Sequence, residues 1–180
     1  GANEMSPLDM AAGVQTLANE GIHHDPYYVE FIDNAAGERV YTHLDPGTQV
    51  IDRDAALETV QILKGPIYGG GTGRRAAFDD RRPAFGKTGT QEDNTNAWFV
   101  GGTKQLSTAV WVGDPRAYTA MNGIPAFSAR GYSRVQGGTF PAEIWKAFMD
   151  PAHVSVPVLD WDRPPPPERP NARLYLPGNE

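Results

Sequence analysis

The segment Gly86 to Thr90 has the residue types of a carboxylate-binding strand edge. It reads Gly-Lys-Thr-Gly-Thr, so a lysine, Lys87, and two hydroxyl residues, Thr88 and Thr90, lie beside the glycine Gly89. Lysine supplies charge and threonine supplies donors, and hydrogen bonds to an ionised acceptor are the stronger ones. Gly89 has no Cβ, so a ligand backbone can approach closely. An extended edge of this kind can also pair with a peptide substrate by strand addition.

The context of this segment is more informative than the triplet Lys-Thr-Gly alone, which also fits an ordinary strand end followed by a turn. Residues 97–100 form a continuous apolar run, as expected of a strand covered on both faces. A loop follows at 101–105, and residues 106–112 then alternate in polarity. The two runs predict a β-hairpin that follows shortly after the Lys-Thr-Gly segment.

A phosphate site is the first alternative. Glycines fill most of the segment 69–73, which Arg74 and Arg75 follow, and Gly86 to Thr88 mimics the end of a P-loop. The P-loop pattern needs a glycine five residues before Gly86, and Arg81 occupies that position. We therefore interpret 69–75 as a turn with solvated arginines. The net charge of −6 further argues against binding nucleic acid through a basic surface.

Two other polar clusters are interpreted as surface features. His23 and His24 precede Asp25, but adjacent residues of an extended chain point apart and no further metal ligand is suitably spaced. The absence of cysteine excludes thiolate catalysis, cysteine metal ligands and disulfides. The run Asp79 to Arg82 is expected to be a solvated charge cluster that contributes little energy.

The N-terminal segment predicts a helix followed by a strand pair. Ser6 can cap the helix, Asp9 lies three residues after the cap, and Gly21 ends it. Residues 28–32 are predicted to form a strand, and 39–41 the strand that returns.

Two later helices are predicted from the same kinds of signal. Asp52 or Asp54 caps one, which the pair Gly65-Pro66 ends, and Pro141 opens the other. Helices on both sides of an antiparallel sheet indicate an α+β fold, an α/β sandwich.

The last 30 residues differ in composition from the rest. They hold 8 of the 16 prolines, including four in succession at 164–167. We therefore divide the chain into a body, 1–150, and an extended or polyproline-like tail, 151–180. Trp161 and the valines before it could still dock on the body.

The order of these motifs resembles the C-terminal part of the transpeptidase domain of penicillin-binding proteins, most of all the bifunctional class A type. The resemblance covers residues 6–150. The similar segments are the helix 6–21, the short Gly-Thr-Gly motif 71–73, the Lys-Thr-Gly strand 86–90, the hairpin strands 97–101 and 109–113, and the closing helix 137–145.

This chain departs from the family pattern at two points. Asn96 stands where the family usually has Asp before Ala-Trp-Phe. The family also carries Ser-x-x-Lys and Ser-x-Asn motifs, and none of the five serines here has Lys three residues later or Asn two residues later. The nucleophile is therefore expected outside this chain, in an upstream half of the same domain.

The resemblance implies D,D-transpeptidation of peptidoglycan stem peptides and acylation by β-lactams. Lys87 is then expected to bind the substrate carboxylate, with hydroxyl donors from Thr88 and Thr90. The Thr90 backbone N–H would supply half of the oxyanion hole, and Gly89 would keep the strand open. The resemblance implies no metal and no organic cofactor.

Location and alternative functions follow from the same resemblance. The parent protein is expected at the extracytoplasmic face of the bacterial membrane, although no run here approaches the roughly 20 apolar residues that span a bilayer. A serine carboxypeptidase or β-lactamase-like enzyme, a non-catalytic penicillin-recognising sensor and a purely structural fragment stay open as alternatives.

Overall fold

The computed structural model describes residues 4–166, which form a small antiparallel sheet between helices. In chain order the elements are α1 (Pro7–Ala18), β1 (Ile22–His23), β2 (Phe31–Asp33), β3 (Arg39–Thr42), β4 (Thr48–Gln49), α2 (Arg53–Leu63), α3 (Gly65–Tyr68), β5 (Phe85–Thr90), β6 (Asn96–Gly102), β7 (Ser107–Gly113), α4 (Pro125–Ser128) and α5 (Phe140–Ala152). This architecture confirms the predicted α+β class.

The main sheet has the strand order β5-β6-β7, with both neighbouring pairs antiparallel. The Lys-Thr-Gly segment is β5, and its Thr88 lies opposite Phe99 of β6. The predicted hairpin is confirmed as β6 and β7, and the structure places motif and hairpin in one sheet. Because β6 lies in the middle, β5 is an edge strand within the described residues.

Helix α5 covers one face of the sheet. Phe99 and Trp145 are fully buried there, with ring centroids 5.2 Å apart in an edge-to-face arrangement. The indole N–H of Trp145 points at the Thr108 carbonyl, 3.2 Å away. A large aromatic ring is thus buried with its polar atom satisfied, which is how Trp is accommodated in cores.

Helix α1 lies on the opposite face. The predicted capping box is present: the Ser6 hydroxyl accepts from the Asp9 amide, and the Asp9 carboxylate accepts from the Ser6 amide. Val14 and Ala18 of α1 are buried in a cluster with Phe85. The face of the sheet toward α1 is less completely covered than the other, since Trp98 and Val100 are only half-buried.

One strand boundary and one additional short helix differ from the sequence prediction. Asp52, one of the two predicted candidates, caps α2, and α2 ends at Leu63, just before the predicted stop at 65–66. A separate short helix, α3, then begins at Gly65 with Pro66 in its first turn. Proline is tolerated there, since a first-turn amide has no intrahelical partner. The strand predicted at 28–32 is displaced to Phe31–Asp33.

The prediction of a solvated cluster at 79–82 is wrong for Arg82. Its side chain is only 8% exposed and forms an ion pair with Asp80 at 2.8 Å. The guanidinium also donates to the carbonyls of His153 and Val156, at 3.2 and 3.3 Å. Arg82 therefore ties the segment after α5 to the body.

The start of the tail docks on the body. Helix α5 ends at Ala152, just past the predicted boundary at 150. Trp161 is 6% exposed and donates from its indole nitrogen to the Ala18 carbonyl at 2.7 Å. The rest of the predicted polyproline segment, 167–180, lies outside the described residues. Among the helices that the structure describes, none has the length and apolar content to cross a membrane.

Candidate functional site

The outer edge of β5 offers backbone groups to a ligand. The amide of Gln91 donates to the Asn96 carbonyl at 2.9 Å. Because hydrogen-bonded pairs alternate along an antiparallel ladder, the residues that bond β6 are odd-numbered, and Thr88 and Thr90 direct their N–H and C=O groups away from β6. No strand of residues 4–166 pairs with that side. The edge can therefore receive an extended peptide.

Lys87 lies at this edge with an exposed side chain. Its ammonium donates to the Thr88 carbonyl at 3.0 Å, and no carboxylate in the described part of the chain forms an ion pair with it. An ammonium has three donors, so two are available to a ligand. The cation is thus held beside the strand without being neutralised.

The two threonines are held by partners that leave them able to donate. The Thr88 hydroxyl lies 2.7 Å from that of Thr72. The Thr90 hydroxyl accepts from the Gly137 amide at 3.0 Å. A hydroxyl that accepts still has its own hydrogen, so Thr90, together with one member of the Thr72–Thr88 pair, can donate to an anion.

Two glycines let a distant loop lie directly against this strand. A Cβ on Gly137 would come within 2.3 Å of the Trp98 carbonyl oxygen and 2.6 Å of that of Gly89. A Cβ on Gly138 would come within 2.2 Å of the Thr72 carbonyl oxygen. No side chain fits these gaps, so glycine is required at both positions for the loop to reach β5.

A cavity of ≈ 450 Å³ opens between this loop, the 70–75 segment and β5. Its walls are lined by Gly70, Gly71, Thr72, Arg74, Arg75, Thr88, Thr90, Gln136, Gly138 and Thr139. The Gly-Thr-Gly motif and the Lys-Thr-Gly strand therefore line the same cavity. Sequence reasoning missed Gln136 and Thr139, whose only signal was their position beside the glycine pair.

The prediction of solvated arginines holds for Arg74 and is wrong for Arg75. Arg74 is exposed. Arg75 is half-buried, pairs with Glu143 at 3.4 Å and donates to the Gly138 carbonyl at 3.2 Å. Glu143 also accepts from Tyr132, and this hydrogen bond raises the pKa of the Tyr132 phenol.

Asn96 supports the end of β6 rather than the cavity. Its carbonyl oxygen accepts from the Trp111 indole N–H at 2.8 Å. In the described residues, no group of three or more His, Cys, Asp or Glu side chains could hold a metal ion. His23 and His24 are engaged separately, with Thr16 at 2.9 Å and Asp45 at 3.1 Å.

Comparison with known sequences finds a family that spans most of the chain. Residues 1–120 match the family described as "Penicillin binding protein transpeptidase domain". Penicillin-binding protein 1A of Mycolicibacterium smegmatis is 36% identical over 164 residues, covering 87% of this chain and 20% of that protein. Penicillin-binding protein 1A of Mycobacterium tuberculosis is 37% identical over 153 residues, covering 81% and 18%. The chain thus spans about a fifth of the length of these relatives.

Comparison with solved structures finds the same fold. The penicillin-binding protein PonA1 from Mycobacterium tuberculosis superposes with a TM-score of 0.77 and 29% identity, over 88% of this chain and 41% of that one. PonA1 in complex with penicillin V gives a TM-score of 0.74 and 29% identity, over 88% and 43%. The similarity therefore extends to both sequence and fold.

Proposed function

The chain belongs to the transpeptidase domain family of penicillin-binding proteins, and we propose that it is the downstream portion of a D,D-transpeptidase that cross-links peptidoglycan stem peptides through a serine acyl-enzyme. The observation that carries this proposal is the open edge of β5. It combines backbone groups that pair with no strand of residues 4–166, two hydroxyls and an ammonium in the segment that has the family's Lys-Thr-Gly sequence.

The proposed reaction divides the work between two parts of the domain. A serine from the upstream part attacks the carbonyl carbon of the D-Ala-D-Ala bond, releases D-alanine and forms an ester. An amine on a neighbouring strand then attacks the ester and frees the serine. β-Lactams acylate the same serine. This chain contributes substrate binding and charge stabilisation, and it uses no metal or organic cofactor.

Each site residue has a proposed role that its geometry supports. The outward amide of Thr90 donates to the oxyanion as the tetrahedral intermediate forms, paired with an amide from the upstream part. The hydroxyls of Thr88 and Thr90 and the ammonium of Lys87 bind the substrate carboxylate. Gly89 leaves the edge open, and a Cβ at this position would come within 3.3 Å of the Trp98 Cβ.

The partner that the chain needs is the upstream half of the domain, which would carry Ser-x-x-Lys and Ser-x-Asn. A second strand edge supports this proposal, since no strand of residues 4–166 pairs with the outer side of β7. An unpaired edge invites association. The complete protein would act at the extracytoplasmic face of the bacterial membrane, where stem peptides lie.

The test is labelling with a fluorescent penicillin. The 180-residue chain alone should give no labelled band that survives denaturation, because no serine here has the Ser-x-x-Lys context. The complete domain should label, and with stem peptides and an amine acceptor it should form cross-linked dimers. Label on this chain alone would require a different nucleophile. Hydrolysis of stem peptide without cross-linking would support the carboxypeptidase alternative. A domain that is labelled but shows neither hydrolysis nor cross-linking would support the sensor alternative.

A further inference from the structure

The cavity beside β5 has positively charged side chains and no acidic ones in its wall. Of the residues that line it, only Arg74 and Arg75 are ionisable. The neutral lining residues include hydroxyl groups from both strand threonines. A cavity with cationic and hydroxyl donors and no carboxylate in its described wall is suited to an anion.

The two arginines differ in what neutralises them. Arg75 pairs with Glu143 at 3.4 Å, and its guanidinium lies 5.1 Å from the centre of the Tyr132 ring. For Arg74, no ion pair or side-chain hydrogen bond occurs within residues 4–166. Arg74 therefore supplies the cavity's uncompensated charge, while Arg75 holds the cavity wall in place.

The backbone that bears Arg74 is firmly packed. A Cβ on Gly73 would come within 2.9 Å of the Phe99 ring, and one on Gly71 within 2.5 Å of the Pro66 Cα. Ala76, two residues after Arg74, is fully buried. The segment thus lies tightly against the sheet and its neighbouring helix, so the base of the Arg74 side chain has a fixed location.

We propose that Arg74 is a specificity-determining residue that binds the ligand's carboxylate from the wall opposite β5. This inference rests on the proposed function. The hydroxyls of Thr88 and Thr90 reach the same cavity from the strand, and Thr72 links the two walls through its 2.7 Å contact with Thr88. The carboxylate concerned is the C-terminal one of the D-alanine leaving residue, and the equivalent carboxylate of a penicillin.

Chemistry favours arginine in this role. Its planar guanidinium can form two parallel hydrogen bonds to one carboxylate, which lysine cannot do. Lys87 approaches the same edge from beside the strand, so the two cations would face the anion from different directions. Arg74 would then select ligands that carry the negative charge over uncharged analogues of the same shape.

The experiment compares two ligands on Arg74→Gln in the complete domain. Benzylpenicillin carries the carboxylate, and its methyl ester does not. The second-order acylation rate should fall about tenfold for the acid and stay unchanged for the ester, since an exposed charge-assisted contact lies at the weak end of its range. Arg74→Lys should recover part of the loss, and added salt should slow the wild type more than Arg74→Gln.

Arg116→Gln is the matched control, because Arg116 has a 91% exposed side chain and lines a separate cavity. It should leave both rates unchanged. If Arg74→Gln lowers the acylation rate equally for the acid and the ester, Arg74 has a structural role. If it lowers neither rate, Arg74 has no role in ligand binding. Either result overturns the inference while the proposed function stands. A wild-type domain that neither ligand acylates would overturn the proposed function and this inference together.

Discussion

Trp161 is expected to hold the proline-rich tail to the body, and its replacement measures that attachment. The ring is 6% exposed and meets Phe85 edge-to-face, with centroids 5.3 Å apart. Its indole nitrogen donates to the Ala18 carbonyl at 2.7 Å. Trp161 thus joins the end of α1 to the first residue of the Lys-Thr-Gly strand.

The magnitude follows from these contacts. Replacing a buried Trp with Ala costs about 3–5 kcal/mol in lost burial and cavity formation. Trp161→Phe keeps most of the ring but leaves the Ala18 carbonyl without its donor, at about 1–3 kcal/mol. Two ion pairs flank the ring, one between Lys64 and Asp160 and one between Arg53 and Asp162. Because both include exposed partners, each should contribute about 0–1 kcal/mol.

The assay is urea unfolding of the complete domain, with the free energy of unfolding compared between variants. Val158→Ala is the control, because Val158 lies on the same segment but is 59% exposed, and it should change stability by less than about 0.5 kcal/mol. The free energy of unfolding is expected to increase from Trp161→Ala to Trp161→Phe to wild type. If Trp161→Ala unfolds within about 0.5 kcal/mol of Val158→Ala, the docking of the tail does not stabilise the domain.

Two further predictions concern the site edge and the buried arginine. Lys87→Ala in the complete domain should slow acylation by penicillin about 10- to 150-fold, because losing a charge-assisted hydrogen bond costs about 1.5–3 kcal/mol. The melting temperature should not fall, and Lys87→Arg should be partly active. A wild-type acylation rate for the Ala variant would remove the proposed role. Hydrogen bonds from Arg82 hold the pKa of the Asp80 carboxyl below its ordinary value of 3.8, so its stabilising contribution is complete above that value and is lost as the pH falls through the lower, folded-state pKa. The stability difference between wild type and Asp80→Asn should therefore be constant above about pH 5 and shrink below pH 3.8, and a difference that grows on acidification would contradict this.

Local signals in the sequence were sufficient for several elements. The capping box at Ser6 and Asp9 marks the start of α1, because it depends only on residues three positions apart. The hairpin of β6 and β7 follows from two apolar runs joined by a short loop. The order of the motifs likewise indicates the family, since motif residues and their spacing are properties of the chain itself.

Boundaries were less predictable where context overrides a local signal. Gly65-Pro66 follows the end of α2 at Leu63, as predicted, yet the same pair also opens α3, because proline in a first turn loses no hydrogen bond. The strand expected at 28–32 forms at Phe31–Asp33, where it pairs with β3. Strand limits depend on which residues find a partner across the sheet, and that pairing is not written in either strand alone.

Tertiary structure alone decided which charged and aromatic residues form the site and its supports. The chain places Arg74, Arg75 and Arg82 in similar polar surroundings, yet Arg75 meets Glu143, Arg82 meets two carbonyls beyond α5, and Arg74 is left facing the cavity. These outcomes depend on residues that are distant along the chain. Sequence patterns describe neighbours along the chain, whereas burial and ion pairing are fixed by neighbours in space, which only the folded arrangement of α5 against the sheet determines.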